Sequence, residues 1–153
     1  MKWVTRENIR VNRTATCWLV RRFLDPKAEF IFVPAANVAA TQAEQGAIGF
    51  DAPDAKYPHK NAQGLCSFAA LVQERFSNEP VLMEMARIVQ AADFKDHLDD
   101  HAAARGLQLI SQGFPLVTKD DHETAERAGF LYDALYASIE QALGVDAQSG
   151  TAI

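Results

Sequence analysis

The sequence predicts an α+β fold, mostly helical, with a small sheet of about three short strands packed with five or six helices. Three observations carry this. Glu29 to Val33 is a run rich in Phe, Ile and Val and closed by Pro34, the pattern of a short buried strand. Leu82, Met85, Ala86, Val89 and Ala92 recur at the 3–4 spacing of a buried helical stripe. Ala128, Leu131, Leu135 and Ile139 repeat that spacing near the C-terminus.

The elements follow in order. Trp3-Val4-Thr5 is a short candidate strand. Residues 14 to 24 read as a helix ended by Asp25-Pro26, because proline cannot continue it. The strand at 29 to 33 comes next. Residues 36 to 45 form a helix stopped by Gly46, and Ala47 to Phe50 reads as another strand. Residues 51 to 64 hold Pro53, Pro58, Gly64, Asp51, Asp54 and Asn61, a loop by composition. Ser67 is placed to cap a helix running through Phe76. Glu79-Pro80 opens the next, which runs to about Ala92. Residues 100 to 112 and 121 to 143 are two further helices. The chain reads as one domain over 1–145, with a small, polar, flexible tail over 146–153.

Composition narrows the function classes. At 153 residues, 48% hydrophobic and 23% charged, the chain is globular and long enough for a real core. A net charge of −5 argues against broad nucleic-acid binding, which draws its affinity from phosphate neutralisation. Met1 to Arg6 runs into polar residues, so no secretory signal is expected. No apolar run approaches the roughly 18 residues of a membrane helix. The expected location is cytoplasmic. Two distant cysteines, Cys17 and Cys66, form no C-x-x-C pair and are expected as thiols. A glycine-rich phosphate loop, G-x-S-x-G and H-E-x-x-H are all absent.

The most telling segment is Arg13 to Pro26. It sets Arg13, Arg21 and Arg22 on an otherwise apolar helix, where each guanidinium needs an anion. Arg13, Cys17 and Arg21 share one face at i, i+4 and i+8, and Arg22 lies about 100° away beside Trp18. Two readings are open. The arginines offer forked donors to a tetrahedral oxyanion. Alternatively they pair internally with Asp25, Glu29, Asp51 or Asp133 and rigidify the domain. Cys17 and Cys66 are likewise either reactive thiols or small hydrophobes in the core.

Arg-x-x-x-Cys-x-Leu-x-Arg-Arg-Phe-x-Asp-Pro, then Ala28 to Pro34, Ile48-Gly49-Phe50-Asp51, His59, Cys66-Ser67-Phe68, Ala86 to Val89 with Ala92-Asp93, and Leu131-Tyr132-Asp133-Ala134-Leu135-Tyr136 make up a combination. It resembles the chromate-resistance protein family, the ChrB-type domain, over about residues 2 to 137. Longer members carry an N-terminal regulatory or rhodanese-like domain, for which this chain has no room. The resemblance implies a stress-response domain linked to chromate resistance.

The resemblance also places a histidine at position 59. Glu29 opens a buried strand without an evident ion-pair partner. Asp93 closes a buried helix, where the dipole disfavours a carboxylate. Glu29, His59 and Asp93 together are the ligand types of an Fe, Mn or Zn site. The alternative is structural: Glu29 paired with Arg21 or Arg22, Asp93 capping the next segment, His59 solvated. His97 and His101 stand i, i+4, so a continuous helix would align them with Asp93. A loop at Asp96 to His101 would break that alignment. His122 reads as part of a capped helix start.

The expected function is a metal- or oxyanion-responsive accessory or sensor domain of the chromate-resistance type. Its partner would be a metal ion or a small oxyanion, and assembly into a homo-oligomer is left open. The alternatives are a small metal-dependent enzyme using His59 with acids, and an interaction module without its own ligand.

Overall fold

The computed structural model describes residues 1–144, so the expected tail at 146–153 lies outside the described residues. Three strands form one parallel sheet: β1 (Lys2–Arg6), β2 (Glu29–Val33) and β3 (Ile48–Gly49), in the order β2-β1-β3. Six α-helices surround it among the described residues: α1 (Val11–Leu19), α2 (Val38–Gln45), α3 (Ser67–Arg75), α4 (Pro80–Asp93), α5 (Ala104–Val117) and α6 (Asp121–Leu143). The fold is α+β and mostly helical, as the periodicities predict.

The sheet separates two apolar clusters. Alternation along β1 turns Trp3 into the main core and Val4 into a smaller cluster with Val38, Ala47 and Ala52. Thus α2 covers one face of the sheet and the other helices cover the opposite face. The main core is dense in aromatic pairs. Trp3 meets Phe50 edge-on at 6.3 Å, and Trp18 lies 6.0 Å from Tyr132.

Long-range polar contacts join the helices. Asn12 Nδ2 donates to Ser67 Oγ, and Asn12 Oδ1 accepts from Phe68 N at the start of α3. Ser67 therefore meets Asn12 and does not cap its own helix. The Tyr132 hydroxyl donates to the Val11 carbonyl at 2.9 Å and shares a hydrogen bond with Thr14 Oγ1 at 2.7 Å. At α6, the Asp120 side chain accepts from Glu123 N, a cap of the kind the sequence announces.

Several boundaries differ from expectation. The first helix begins at Val11, three residues early, and turns π-helical over Val20–Leu24 before Asp25. That widened turn carries Arg21 and Arg22. Helix α5 covers 104–117 in place of 100–112, because Pro115 is accommodated inside it. Helix α4 stops at Asp93, and Phe94 is extended (φ −104°, ψ 120°). The Asp93–His97–His101 alignment is therefore absent. His97 bonds Asp100, and His101 reaches back to Glu84.

Tyr132 is fully buried, so Tyr132→Phe leaves the Val11 carbonyl without this donor in a place water does not reach. A loss of about 1–3 kcal/mol is expected, read as a lower urea midpoint at unchanged slope.

Candidate functional site

The strands of a parallel sheet present their carboxyl ends on one edge, where such folds commonly hold ligands. Here that edge carries Arg6, the last residue of β1, and Asp51, two residues past β3. Asp51 adopts φ +50°, a left-handed conformation that aspartate tolerates. The turn tucks its carboxylate inward, leaving only 2% of the side chain exposed.

Three cationic side chains converge on that carboxylate. Arg6 reaches Oδ1 from Nη2 at 3.3 Å and donates from Nε to the Asp51 carbonyl at 2.7 Å. Arg13, from the first turn of α1, brings Nε to Oδ2 at 3.1 Å. Its Nη1 donates to the carbonyls of Arg6 and Glu7. His59 Nδ1 stands 2.7 Å from Oδ1. Burial pushes the Asp51 carboxyl up, but the His59 hydrogen bond and the two arginines overcome it and hold it below the usual range. The same bond to Asp51 raises His59 against a smaller opposing effect of burial. Burial lowers the Arg13 guanidinium.

Asp93, at the end of α4, completes the cluster. Its Oδ2 is buried, makes no hydrogen bond and lies 3.9 Å from His59 Nδ1. Burial, with the nearby Asp51 charge, pushes its carboxyl up to about 7. Its raised carboxyl leaves Arg6 and Arg13 facing one firmly ionised acid, Asp51, and one that holds its proton more readily. The rim adds a cation. His59 packs edge-on against Phe94 at 5.3 Å, and Lys60 Nζ stands 5.7 Å from the same ring. His59 keeps 47% of its side chain open and Arg6 34%, so both face solvent.

Of the expected metal set, His59 and Asp93 meet and Glu29 does not. Glu29 is exposed and heads β2 opposite Lys2, at the amino edge of the sheet, roughly 13 Å along β1 from Arg6. Asp51 occupies the place expected of it. Among the described residues, no three His, Cys, Asp or Glu side chains are grouped to hold a metal ion. Both Asp51 oxygens already face guanidinium groups, a poor setting for a dication.

The expected arginine trio also separates. Arg13 is in the cluster. Arg22 pairs with Asp133 at 2.8 Å, an oxygen that also accepts from Trp18 Nε1, and its guanidinium lies over Tyr136 at 4.5 Å. Arg21 lies over Phe30 at 4.7 Å and makes long bonds of 3.4 Å to the Ala28 carbonyl. Arg21 and Arg22 share with Cys17 a pocket of about 580 Å³ that Glu126 and Asp133 also line, so its charge is mixed. Cys17 and Cys66 are buried in the core, and burial pushes both thiols up, away from the thiolate. His122 stands at the first turn of α6 against Phe32.

Arg6 and Asp51 are the site residues that the sequence did not mark as such. Asp51 appeared there as a possible ion-pair partner, as a loop residue and within the Ile48-Gly49-Phe50-Asp51 segment of the resemblance, without a site role. The usable signal was positional, since Arg6 ends β1 and Asp51 lies just past β3 at the same edge.

The family model described as "ChrB, C-terminal domain" matches residues 3–139. A curated relative, "Protein ChrB" of Cupriavidus metallidurans, is 26% identical over 136 residues, covering 88% of this chain. The chain spans 40% of that relative's length. No solved structure matches. No helix among the described residues is long and apolar enough to cross a membrane.

Asp93 supplies a pH test. Its folded carboxyl sits above the ordinary aspartate value of 3.8, so the folded state holds the extra proton and ionisation costs stability as pH rises from 3.8 towards about 7. Asp93→Asn is expected to be more stable than the parent at about pH 8, by on the order of 1–3 kcal/mol. The gain should shrink towards about pH 4, followed by urea denaturation across that window.

Proposed function

Because the chain belongs to the ChrB C-terminal-domain family, a chromate-resistance family, we propose that it is an oxyanion-responsive domain whose receptor is the Arg6–Arg13–His59 cluster. The observation that supports this most is the convergence of three cationic side chains on one half-exposed edge, held in place by a buried carboxylate. Tetrahedral dianions such as chromate are best held by forked guanidinium donors and charged N–H groups.

Asp51 uses one ring nitrogen of His59 and part of each guanidinium. His59 Nε2, Arg6 Nη1 and Arg13 Nη2 make no hydrogen bond among the described residues. An arriving oxyanion would meet Arg6 and His59 first, with Arg13 behind them. Its charge would disfavour ionised Asp93, so binding and protonation of Asp93 would be linked. Displacing Arg6 or His59 from Asp51 would loosen the loop after β3, a local change that a neighbouring domain or partner can read.

A divalent metal is the second reading. It is favoured by one feature, the unpaired Asp93 Oδ2 beside His59. The guanidinium groups at the same place weigh against it.

Isothermal titration of the full chain with chromate separates the readings. Binding that sulfate competes for is expected in the parent. Arg6→Gln and His59→Gln should weaken it about tenfold or more each, a loss of about 1.4 kcal/mol or more, read at a temperature where circular dichroism shows each variant folded, since each also removes a partner of the buried Asp51 carboxylate. Arg21→Gln should leave it unchanged. Loss in Arg21→Gln with full binding in Arg6→Gln would move the receptor to the other pocket. Stoichiometric metal in untagged protein, lost in Asp93→Asn, would favour the metal.

A further inference from the structure

Helix α5 lies on the outside of the fold yet has almost no charge. Arg105 is its only charged residue over 14 positions. A helix facing only solvent usually carries charged side chains along its outer face. Here that face shows Leu109 (70% exposed), Ile110, Leu116 (83%) and Val117, and Phe130 of α6 stands beside them at 81%. At 100° per residue, positions 109, 110, 113, 116 and 117 fall within an arc of about 120°. The opposite face, with Ala104, Leu107 and Ser111, is the buried one.

The surface has a shape as well as a polarity. A groove of about 440 Å³ runs between α5 and α6. Gly113, Ala128 and Ala134 keep it open, and Phe130 lines it while remaining mostly outside it. A projecting ring and a hollow thus sit side by side on one surface. That is what a two-fold contact needs, since each copy must offer both the knob and the hole.

Exposure and charge agree. Five large apolar side chains, each more than half exposed, share one surface, the kind of patch that marks an interaction site; a standard interface takes roughly 800 Å² from each partner. Two charged residues beside the patch are already neutralised within the chain. Arg127 pairs with Glu123 at 3.2 Å and Arg105 with Asp99 at 2.9 Å. Two copies, each of net charge −5, can therefore meet here without like charges at the centre.

We infer that the α5–α6 face is the docking surface for a second copy of this chain, related by a two-fold axis that seats each Phe130 in the other's groove. The Arg6–Asp51–His59 edge is built from other elements and stays open in such a pair.

Sedimentation velocity on the full chain tests this. The parent is expected at twice 16.9 kDa when concentrated to about 100 µM, dissociating on dilution with a micromolar constant. Phe130→Glu and, separately, Leu116→Lys should each shift the chain to the monomer with circular dichroism and melting temperature close to the parent's. The substituted side chains are more than four-fifths exposed, so neither change disturbs the core. A parent that is monomeric at about 100 µM overturns the inference, and so does a dimer that survives both substitutions.

Discussion

The Asp51 carboxylate is nearly sealed from water, and the neighbouring architecture is organised around keeping it charged. A buried ion without partners would be expelled or neutralised. Arg6 reaches it from the end of β1, Arg13 from the start of α1 and His59 from the loop that follows. Each arm belongs to a different element. The carboxylate therefore fixes the β1–α1 connection against the end of β3, and it gathers two guanidinium groups and an imidazole in one place. Removing Arg13 would strand a buried anion, so Arg13 and Asp51 are structural members first. Arg6 and His59 keep part of their side chains open to solvent.

The outline of the fold was legible because it rests on periodicity and chain breakers. Pro34 and Gly46 mark ends that the structure keeps, and the stripes at 82–92 and 128–139 lie in α4 and α6. What escaped were features that only tertiary packing decides. The π turn at 20–24 has no distinct local signal. Helix α5 runs past the expected end at 112 and carries Pro115 close to its C-terminus. The early start of α1 depends on Asn12, which is held by α3 across 55 residues of chain.

The site was half legible. Arg13, His59 and Asp93 were marked for separate reasons, an arginine in an apolar run, a loop histidine and a carboxylate at a helix end. Nothing in local spacing says that they meet. Glu29 was misplaced because strand direction was not used: it begins a strand, and in a parallel sheet the beginnings and ends lie on opposite edges. The same rule would have selected Arg6 and Asp51. The arginines of the 13–22 run also divide by surroundings. Arg22 has a carboxylate and an aromatic face, Arg21 has an aromatic face and a carbonyl, and Arg13 shares its acid with two other cations.

The central claim is that one carboxylate holds several cations ready for a shared anion. Nitrogen-edited NMR of the arginine Nε–H and histidine ring resonances during a chromate titration addresses it directly. The account predicts that the signals of Arg6, Arg13 and His59 move together along one saturating curve, while those of Arg21 and Arg22 stay in place. Movement confined to Arg21 and Arg22, or no saturable movement at all, would contradict it.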